Sequence, residues 1–147
     1  MKKQQGLTLL ELLFVLAIIG ILATVAIPSF SQQMKQNRLV SNANQLQSVF
    51  KFARSEAAKR DRVIQLNEDA GTWEVLLAGQ VAPLQIFTPS HSSISVTNLA
   101  DLNITTTGEI AGAGRQYLVT DGDSNTTDYC LNVLVSGQSF LTSTNAC

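Results

Sequence analysis

The most pronounced pattern in the chain is a long apolar run close to its amino terminus. Between Leu12 and Ile27 there is no charged residue and one hydroxyl, that of Thr24. Counted from Leu7, the run matches the roughly 20 residues that a helix needs to cross the hydrocarbon core of a bilayer. Lys2 and Lys3 precede it and favour an orientation with the amino terminus in the cytoplasm. We therefore predict one membrane-spanning helix.

Beyond Pro28 the pattern becomes that of an amphipathic helix. Apolar residues recur at alternating steps of four and three, which places them on one helical face, and Gln, Asn, Ser, Lys and Arg fill the other face. This periodicity stops near Arg60 and Asp61. The apolar stripe consists of Leu39, Ala43, Leu46, Phe50, Ala53 and Ala57.

After Asp61 the chain changes to short, alternating, β-branched runs separated by turn residues, which is typical of strands. A turn is expected at residues 67–71, between the first two runs. An order of one long helix followed by strands favours an α+β fold, with the apolar stripe packed on a mostly antiparallel β-sheet. The predicted strands are residues 63–66, 72–78, 85–87, 93–97, 103–106, 116–120 and 130–135.

The charges are unevenly distributed, although the formal net charge is only −1. Residues 29–62 carry seven basic and two acidic side chains, whereas residues 63–147 carry eight acidic side chains and only Arg115 as a base. A positive helical segment and an acidic head could steer neighbouring subunits into register. Two ordinary solvated faces explain the same distribution equally well.

One charged residue interrupts the apolar run. Glu11 lies where a carboxylate costs roughly 2.5–3.5 kcal/mol on insertion scales, so it is expected to have a partner. A basic leader ending in Gly6, the following Leu7 and a glutamate five residues after Gly6 together resemble the class III signal of type IV pilins and type II secretion pseudopilins. Most members of those families have phenylalanine where this chain has Leu7. A cleaved secretory signal would have a shorter apolar core and a small-residue site, and a plain signal anchor would not explain Glu11.

The resemblance assigns roles to individual residues. It implies cleavage by a prepilin peptidase between Gly6 and Leu7, followed by methylation of the new amine on Leu7. It implies that Glu11 neutralises the amino terminus of a neighbouring subunit and so sets axial register in the filament. Pro28 corresponds to the proline that kinks the helix in those families.

Later segments resemble the GspH/FimT family of minor pilins and pseudopilins. The stretch from Phe52 to Arg60 is similar to the end of that family's long helix, and Thr72-Trp73-Glu74-Val75 is similar to its short strand with a G-W-x-V pattern. Thr107-Gly108, Tyr129-Cys130-Leu131 and a terminal Cys147 follow the later order of its β-domain. The domain boundaries expected on this basis are a leader at residues 1–6, a transmembrane or filament-core helix at 7–28, an amphipathic helix at 29–62 and a β-rich head at 63–147.

The function implied is that of a minor type IV pilin, a structural component of the complex that primes or caps the pilus. Its partners would be other pilins and minor pilins, the prepilin peptidase and the inner membrane. It would move from the membrane into an extracellular or periplasmic filament. A GspH-type pseudopilin of a type II secretion system and a DNA-binding minor pilin for natural transformation are the alternatives.

DNA binding is possible but not favoured by the sequence. Some relatives use a basic G-R-x-R motif just before the last cysteine, where this chain has Gly137-Gln138-Ser139-Phe140. Without those arginines the loop cannot release counterions from DNA phosphates. A substitute basic patch would need Lys59, Arg60, Arg62 and Arg115, and the first three are better explained as the end of a helix, where cations complement the dipole.

Other chemistry has little support in the sequence. In an exported chain, Cys130 and Cys147 allow one intramolecular disulfide. The loop from Asp121 to Asn125 starts like a calcium-binding loop but lacks the glycine and glutamate of that motif, so a solvated turn is favoured. His91 has no nucleophile–base arrangement in sequence, and there is no P-loop, dinucleotide or zinc pattern. We therefore expect no enzymatic activity, no cofactor and no metal.

Overall fold

The computed structural model describes residues 8–144 and 146–147. The chain divides into two compact units, Met1–Met34 and Lys35–Cys147. A single helix, α1, spans Leu9–Arg60 and is followed by eight strands. The strands are β1 Ile64–Asp69, β2 Thr72–Leu77, β3 Gln85–Phe87, β4 Ser95–Thr97, β5 Leu102–Ile104, β6 Arg115–Thr120, β7 Tyr129–Val133 and β8 Ser139–Ser143.

The predicted apolar stripe of the helix forms one side of the core. All six of its residues, from Leu39 to Ala57, are completely buried, as is Val49 beside them. They belong to a single apolar cluster with Ile64 and Trp73 from one set of strands and Tyr117 and Leu131 from another. The predicted α+β fold, a long helix packed on antiparallel strands, is confirmed.

The helix ends where its periodicity ended in the sequence. Asp61 adopts a positive φ of 51°, the left-handed conformation that commonly follows a helix. The backbone N–H of Arg62 then donates to the carbonyl of Ala57 at 3.3 Å, the closing bond of a Schellman motif. An aspartate in place of the usual glycine makes this a strained but well-defined stop.

The strands form two four-stranded antiparallel sheets, where the sequence predicted one sheet. The first has the order β3-β2-β1-β5 and the second the order β4-β6-β7-β8. Alternation along a strand indicates which side chains are buried but does not indicate which strand is the neighbour. Assignment to one sheet or the other therefore depended on contacts between distant segments.

Several strand boundaries differ from the prediction. The hairpin between β1 and β2 pairs Asp69 with Thr72, so β1 extends into the predicted turn and the turn itself is only Ala70-Gly71, both with positive φ. A two-residue turn of this kind matches the twist of the flanking strands. β8 was not predicted, because its sequence, SFLTS, is polar and its side chains alternate between half-buried and exposed.

An aromatic pair joins the two sheets. Trp73 of β2 and Tyr117 of β6 are both fully buried and meet edge to face, with ring centroids 4.9 Å apart. The indole N–H of Trp73 donates to the carbonyl of Ala100 at 3.0 Å. The Tyr117 hydroxyl has no hydrogen-bond partner among the described residues, and burial raises the pKa of Tyr117 to about 12.

Two glycines allow the loops of the two sheets to touch. A Cβ added to Gly137, in the β7–β8 turn, would lie 1.8 Å from the carbonyl oxygen of Gly108, in the β5–β6 loop. Both glycines also have positive φ, 76° and 81°. The side chain of Arg54 lies against both and donates from Nε to the Gly108 carbonyl at 3.1 Å. We call this three-way contact the glycine junction.

A disulfide closes the carboxyl-terminal part of the head. Cys130 in β7 is bonded to Cys147, with 5.7 Å between their Cα atoms, and so ties the last residue to the sheet. In the chain-entropy model, closing a loop of this length stabilises the folded state by about 3 kcal/mol. The predicted disulfide is confirmed.

Substitution of Gly137 by alanine should be severely destabilising. The new Cβ would overlap the Gly108 carbonyl oxygen, and the alanine would have to adopt a left-handed backbone conformation. We therefore expect the free energy of unfolding to fall by about 3 kcal/mol or more. Gly71→Ala is the matched control, because Gly71 has a φ of 82° but nothing within 4 Å of its Cβ position. That variant should lose only about 1–2 kcal/mol. Thermal unfolding of the full chain in detergent, followed by circular dichroism, measures both, and equal losses would contradict the close contact.

Replacing Tyr117 by phenylalanine should not destabilise the head at neutral pH. Removal of an unpaired buried hydroxyl can raise the free energy of unfolding by about 1 kcal/mol. In the wild type, Tyr117 ionises near its ordinary pKa of 10.0 when unfolded but near 12 when folded. Stability should therefore fall as pH rises from about 10 to 12, and Tyr117→Phe should lack that component of the fall. Tyr129→Phe keeps Tyr117 and serves as the control. A marked destabilisation of Tyr117→Phe at pH 7 would show that the hydroxyl is bonded.

Candidate functional site

The amino-terminal part of α1 presents an apolar surface over its whole circumference. By length and composition this helix is able to cross a membrane. A surface helix of a soluble domain would show a polar face, so this segment needs a lipid or protein environment. The exposed large apolar side chains are Leu9, Leu10, Leu12, Leu13, Phe14, Val15, Leu16, Ile18, Ile19, Ile21, Leu22, Ile27 and Phe30.

Glu11 takes part in a reciprocal cap at the start of α1. The backbone N–H of Glu11 donates to the Thr8 hydroxyl at 3.2 Å, and the backbone N–H of Thr8 donates to Glu11 Oε2 at 3.4 Å. This is a capping box, which satisfies backbone donors that would otherwise be unpaired at a helix start. The sequence reasoning missed the role of Thr8, although the T-x-x-E spacing before an apolar run is its known signal.

The other predicted residues of this segment can be placed only in part. Gly6 and Leu7, the predicted cleavage and methylation positions, lie outside the described residues. Pro28 lies inside α1, so the helix does not end there. The kink expected at Pro28 and the pairing of Glu11 with a neighbouring subunit stay predictions.

The four basic residues considered for DNA binding already have different local roles. Arg60 and Lys59 both pair with the carboxylate of Glu56, at 2.5 Å and 3.5 Å. The hydrogen bond from Arg60 is the main reason that the pKa of Glu56 is lowered. Arg62 donates to the carbonyl of Ala78 at 2.9 Å. These contacts complete the end of the helix.

Arg115 lies at the start of β6, in the second sheet. Its partner in the β6–β7 ladder is Val133, whereas Lys59, Arg60 and Arg62 make their bonds at the end of α1. Gly137 and Gln138, which occupy the place of the basic motif in some relatives, form the turn before β8, and the carbonyl of the next residue, Ser139, accepts a hydrogen bond from Gln47 at 3.1 Å. The four basic residues therefore lie on different elements with separate local contacts, and a DNA-binding patch formed by them stays a prediction.

The loop that begins like a calcium site binds its own chain. Asp121 Oδ1 accepts the Asp123 N–H and the Thr126 hydroxyl, at 3.0 Å and 2.6 Å. The Lys35 ammonium donates to Asp123 Oδ2 at 2.6 Å, and chiefly this bond, with those from Asn125, lowers the pKa of Asp123 to about 2. The loop between β6 and β7 is thus attached to α1 at Lys35.

A second loop is attached to α1 by a buried amide. Asn42 is fully buried, donates to the Ser90 hydroxyl at 2.8 Å and accepts the Ser90 N–H at 2.9 Å. The neighbouring His91 bonds to residues of its own loop: its Nδ1 accepts the Ser93 N–H at 3.1 Å, and its carbonyl accepts the Ile94 N–H at 3.0 Å. The histidine therefore belongs to a local turn of the head.

A groove that the sequence reasoning did not identify runs beside the glycine junction. It has a volume of about 410 Å³. Arg54 and Lys51 lie three residues apart on one face of α1, which forms one wall of the groove. The other wall comes from a loop more than fifty residues away in sequence, so no local motif marked these two residues. The lining residues are Lys51, Arg54, Ser55, Ala58, Thr107 and Gly108.

Comparison with known families agrees with this architecture. Residues 1–27 match the model of the prokaryotic N-terminal methylation motif. Residues 42–139 match the model described as type II transport protein GspH. The two matches correspond to the apolar amino-terminal segment and to the head with its supporting helix.

Individual relatives are all pilins or fimbrial proteins. The chain is 28% identical to a fimbrial protein of Pseudomonas aeruginosa over 119 residues, which is 77% of each chain. It is 32% identical over 69 residues to the type IV major pilin protein PilA of Myxococcus xanthus, and that match spans 47% of this chain and 31% of PilA.

A likeness to solved structures shows the same fold. The crystal structure of the type IV minor pilin FimU of Pseudomonas aeruginosa in one space group gives a TM-score of 0.65 at 20% identity, over 77% of this chain and 97% of FimU. A second crystal form gives 0.62, over 74% and 99%. Since the GspH model covers well over half of the residues, and the methylation motif precedes it, this chain belongs to the GspH family of pilins and pseudopilins, a family of structural, non-enzymatic proteins.

Proposed function

We propose that this protein is a minor type IV pilin that takes part in the initiation and assembly of the pilus, in the complex that primes or caps the filament. The observation that carries the proposal is the combination, in one chain, of a methylation-motif helix with a head that has the fold of a minor pilin. The head also has a completed, disulfide-closed core of its own, as a protein displayed outside the membrane requires.

The proposed mechanism begins in the inner membrane. The helix inserts with Lys2 and Lys3 on the cytoplasmic side, and a prepilin peptidase cuts between Gly6 and Leu7 and methylates the new amine. Apolar helices of neighbouring subunits then replace the lipid around α1. In this low-dielectric filament core, a carboxylate is stable only when it is paired, so Glu11 selects the axial position at which it meets a neighbouring amino terminus.

The capping box gives Glu11 a defined starting position for this step. Its carboxylate already lies beside the Thr8 N–H, next to the residue that becomes the new amino terminus after cleavage. The Thr8 hydroxyl and the Glu11 carboxylate each accept a hydrogen bond from the other residue's N–H. This stabilises the first turn of α1, which begins at Leu9.

A GspH-type pseudopilin of a type II secretion system is the second candidate, and the family match itself favours it. Deletion of the gene separates the two. Loss of surface pili with normal protein secretion supports the minor pilin, whereas loss of secretion with normal pili supports the pseudopilin. The chain restored on a plasmid is the control.

DNA binding remains a weaker candidate. Three of the four basic residues that would have to contact phosphates make bonds at the end of α1, and the fourth, Arg115, lies on a different element, β6. We therefore infer non-specific affinity only, in the range of about 10⁻⁴ M at physiological salt.

Replacing Gly6 by valine should block processing while leaving membrane insertion intact, since the apolar run is unchanged. The expected product is a full-length precursor in the inner membrane, with no chain in sheared filaments. Mass spectrometry of the wild-type and variant chains measures whether the amino terminus is Met1 or a methylated Leu7. A wild-type chain with its leader intact in assembled filaments would refute the proposal.

Replacing Glu11 by alanine should leave insertion and cleavage normal, because a lost charge makes the helix more apolar, but incorporation into filaments should fall strongly. Thr8→Val is the matched variant, because it removes the capping hydroxyl and keeps the carboxylate. We expect it to retain more incorporation than Glu11→Ala, as quantified by immunoblot of sheared filaments against the membrane fraction. Equal losses would mean that Glu11 acts only as a helix cap.

A further inference from the structure

The groove beside the glycine junction carries positive charge that nothing in the described structure neutralises. Lys35, Lys59 and Arg60 each meet a carboxylate of their own chain. Among the residues that the structure describes, neither Lys51 nor Arg54 has an acidic partner. Two like charges three residues apart on a helix repel each other, so the groove gains stability from an added anion.

One of the two cations is fixed in place. Arg54 Nε donates to the Gly108 carbonyl at 3.1 Å, and the positions where Gly108 and Gly137 would carry a Cβ lie 3.1 Å and 2.9 Å from the same nitrogen. This contact leaves the terminal N–H groups of the guanidinium as donors. An arginine held in this way loses little rotamer entropy when it binds a carboxylate.

The remaining lining suits a peptide segment rather than a single small ion. Ser55 and Thr107 are exposed and each adds a hydroxyl, and the exposed Ala58 leaves the groove open at the surface of α1. The strand region of this chain has eight acidic side chains against Arg115 alone, so a neighbouring head of the same composition would present the complementary charge. Complementary charges of this type fix partner choice and register.

We propose that the groove receives a carboxylate-bearing segment of a neighbouring subunit, with an aspartate or glutamate paired to Lys51 and Arg54. The proposal rests on the proposed function, because it requires the chain to stand beside another pilin in a filament. It adds a second, head-level contact to the contact between the amino-terminal helices.

Zero-length cross-linking of intact filaments tests it directly. A water-soluble carbodiimide activates a carboxylate, the lysine amine displaces the activating group as a urea, and an amide forms only where the two groups are already in contact. The Lys35–Asp123 pair, at 2.6 Å, provides an internal positive control for the reaction. Peptide mapping by mass spectrometry should find Lys51 joined to an aspartate or glutamate of a different subunit.

Charge variants supply the second measurement. Lys51→Glu should lower incorporation into filaments about five-fold or more through like-charge repulsion, whereas Lys51→Arg should keep it. Arg115→Glu makes the same change in net charge at a residue outside the lining of the groove and should have little effect. Lys51 and Arg115 are both exposed, so all three variants should fold, which the thermal unfolding curve checks.

Four results would overturn the proposal. Two concern the cross-links: Lys51 stays unlinked in filaments where Lys35 is linked to Asp123, or Lys51 is linked to its own chain. The third is an equal loss of incorporation for Lys51→Glu and Arg115→Glu. The fourth is a Lys51 amine that becomes reactive to acetylation only after nuclease treatment. The last result would identify nucleic acid as the occupant. A chain that is processed and incorporated but unlinked at Lys51 leaves the proposed function standing, whereas absence of the chain from filaments contradicts the proposed function itself.

Discussion

Burial of one face of the carboxyl-terminal half of α1 is the interaction on which the head depends. The residues from Leu39 to Ala57 on that face are completely shielded, and the same cluster includes Ile64 and Trp73 of the first sheet and Tyr117 and Leu131 of the second. Each sheet is only four strands wide, with edge strands of three to five residues. Strands this short need a hydrophobic surface to cover them, and the helix supplies it for both sheets.

Polar contacts from the other positions of the helix then arrange the loops. Lys35 holds the β6–β7 loop through Asp123, Asn42 holds the segment around Ser90, and Gln47 and Arg54 hold the turn before β8 and the β5–β6 loop. These bonds are individually modest, since partly exposed pairs contribute about 1 kcal/mol or less. Their effect is geometric, because they locate long connections that have little regular structure of their own. At the glycine junction a side-chain Cβ on Gly137 would overlap the Gly108 carbonyl oxygen, so there the absence of a side chain is essential.

Two environments are thus combined in a single helix. From Leu9 to Ile27 the large exposed side chains are apolar apart from Glu11, whose carboxylate is part of a capping box, and this surface suits lipid or the interior of a filament. From Lys35 onward one face packs on the protein core, and positions that flank this face carry cations, among them Lys51 and Arg54 in the groove. The first segment explains how a subunit could be held in an assembly, and the second how a head could distinguish its neighbours.

Local periodicity and composition determined a large part of the fold. The apolar run, the helical stripe, the helix end near Asp61, most strands and the Cys130–Cys147 bond were predicted because each depends on neighbouring residues or on a single possible pairing. The division into two sheets, the polar strand β8, the short turn at Ala70-Gly71 and the groove formed by Lys51, Arg54 and Thr107 were decided only by tertiary structure. The two sheets and the groove arise where segments distant in sequence meet, and no local pattern records which segments will do so. The short turn and β8 come from hairpin pairing, because each strand is held by the backbone bonds of its neighbour and so needs no apolar alternation of its own.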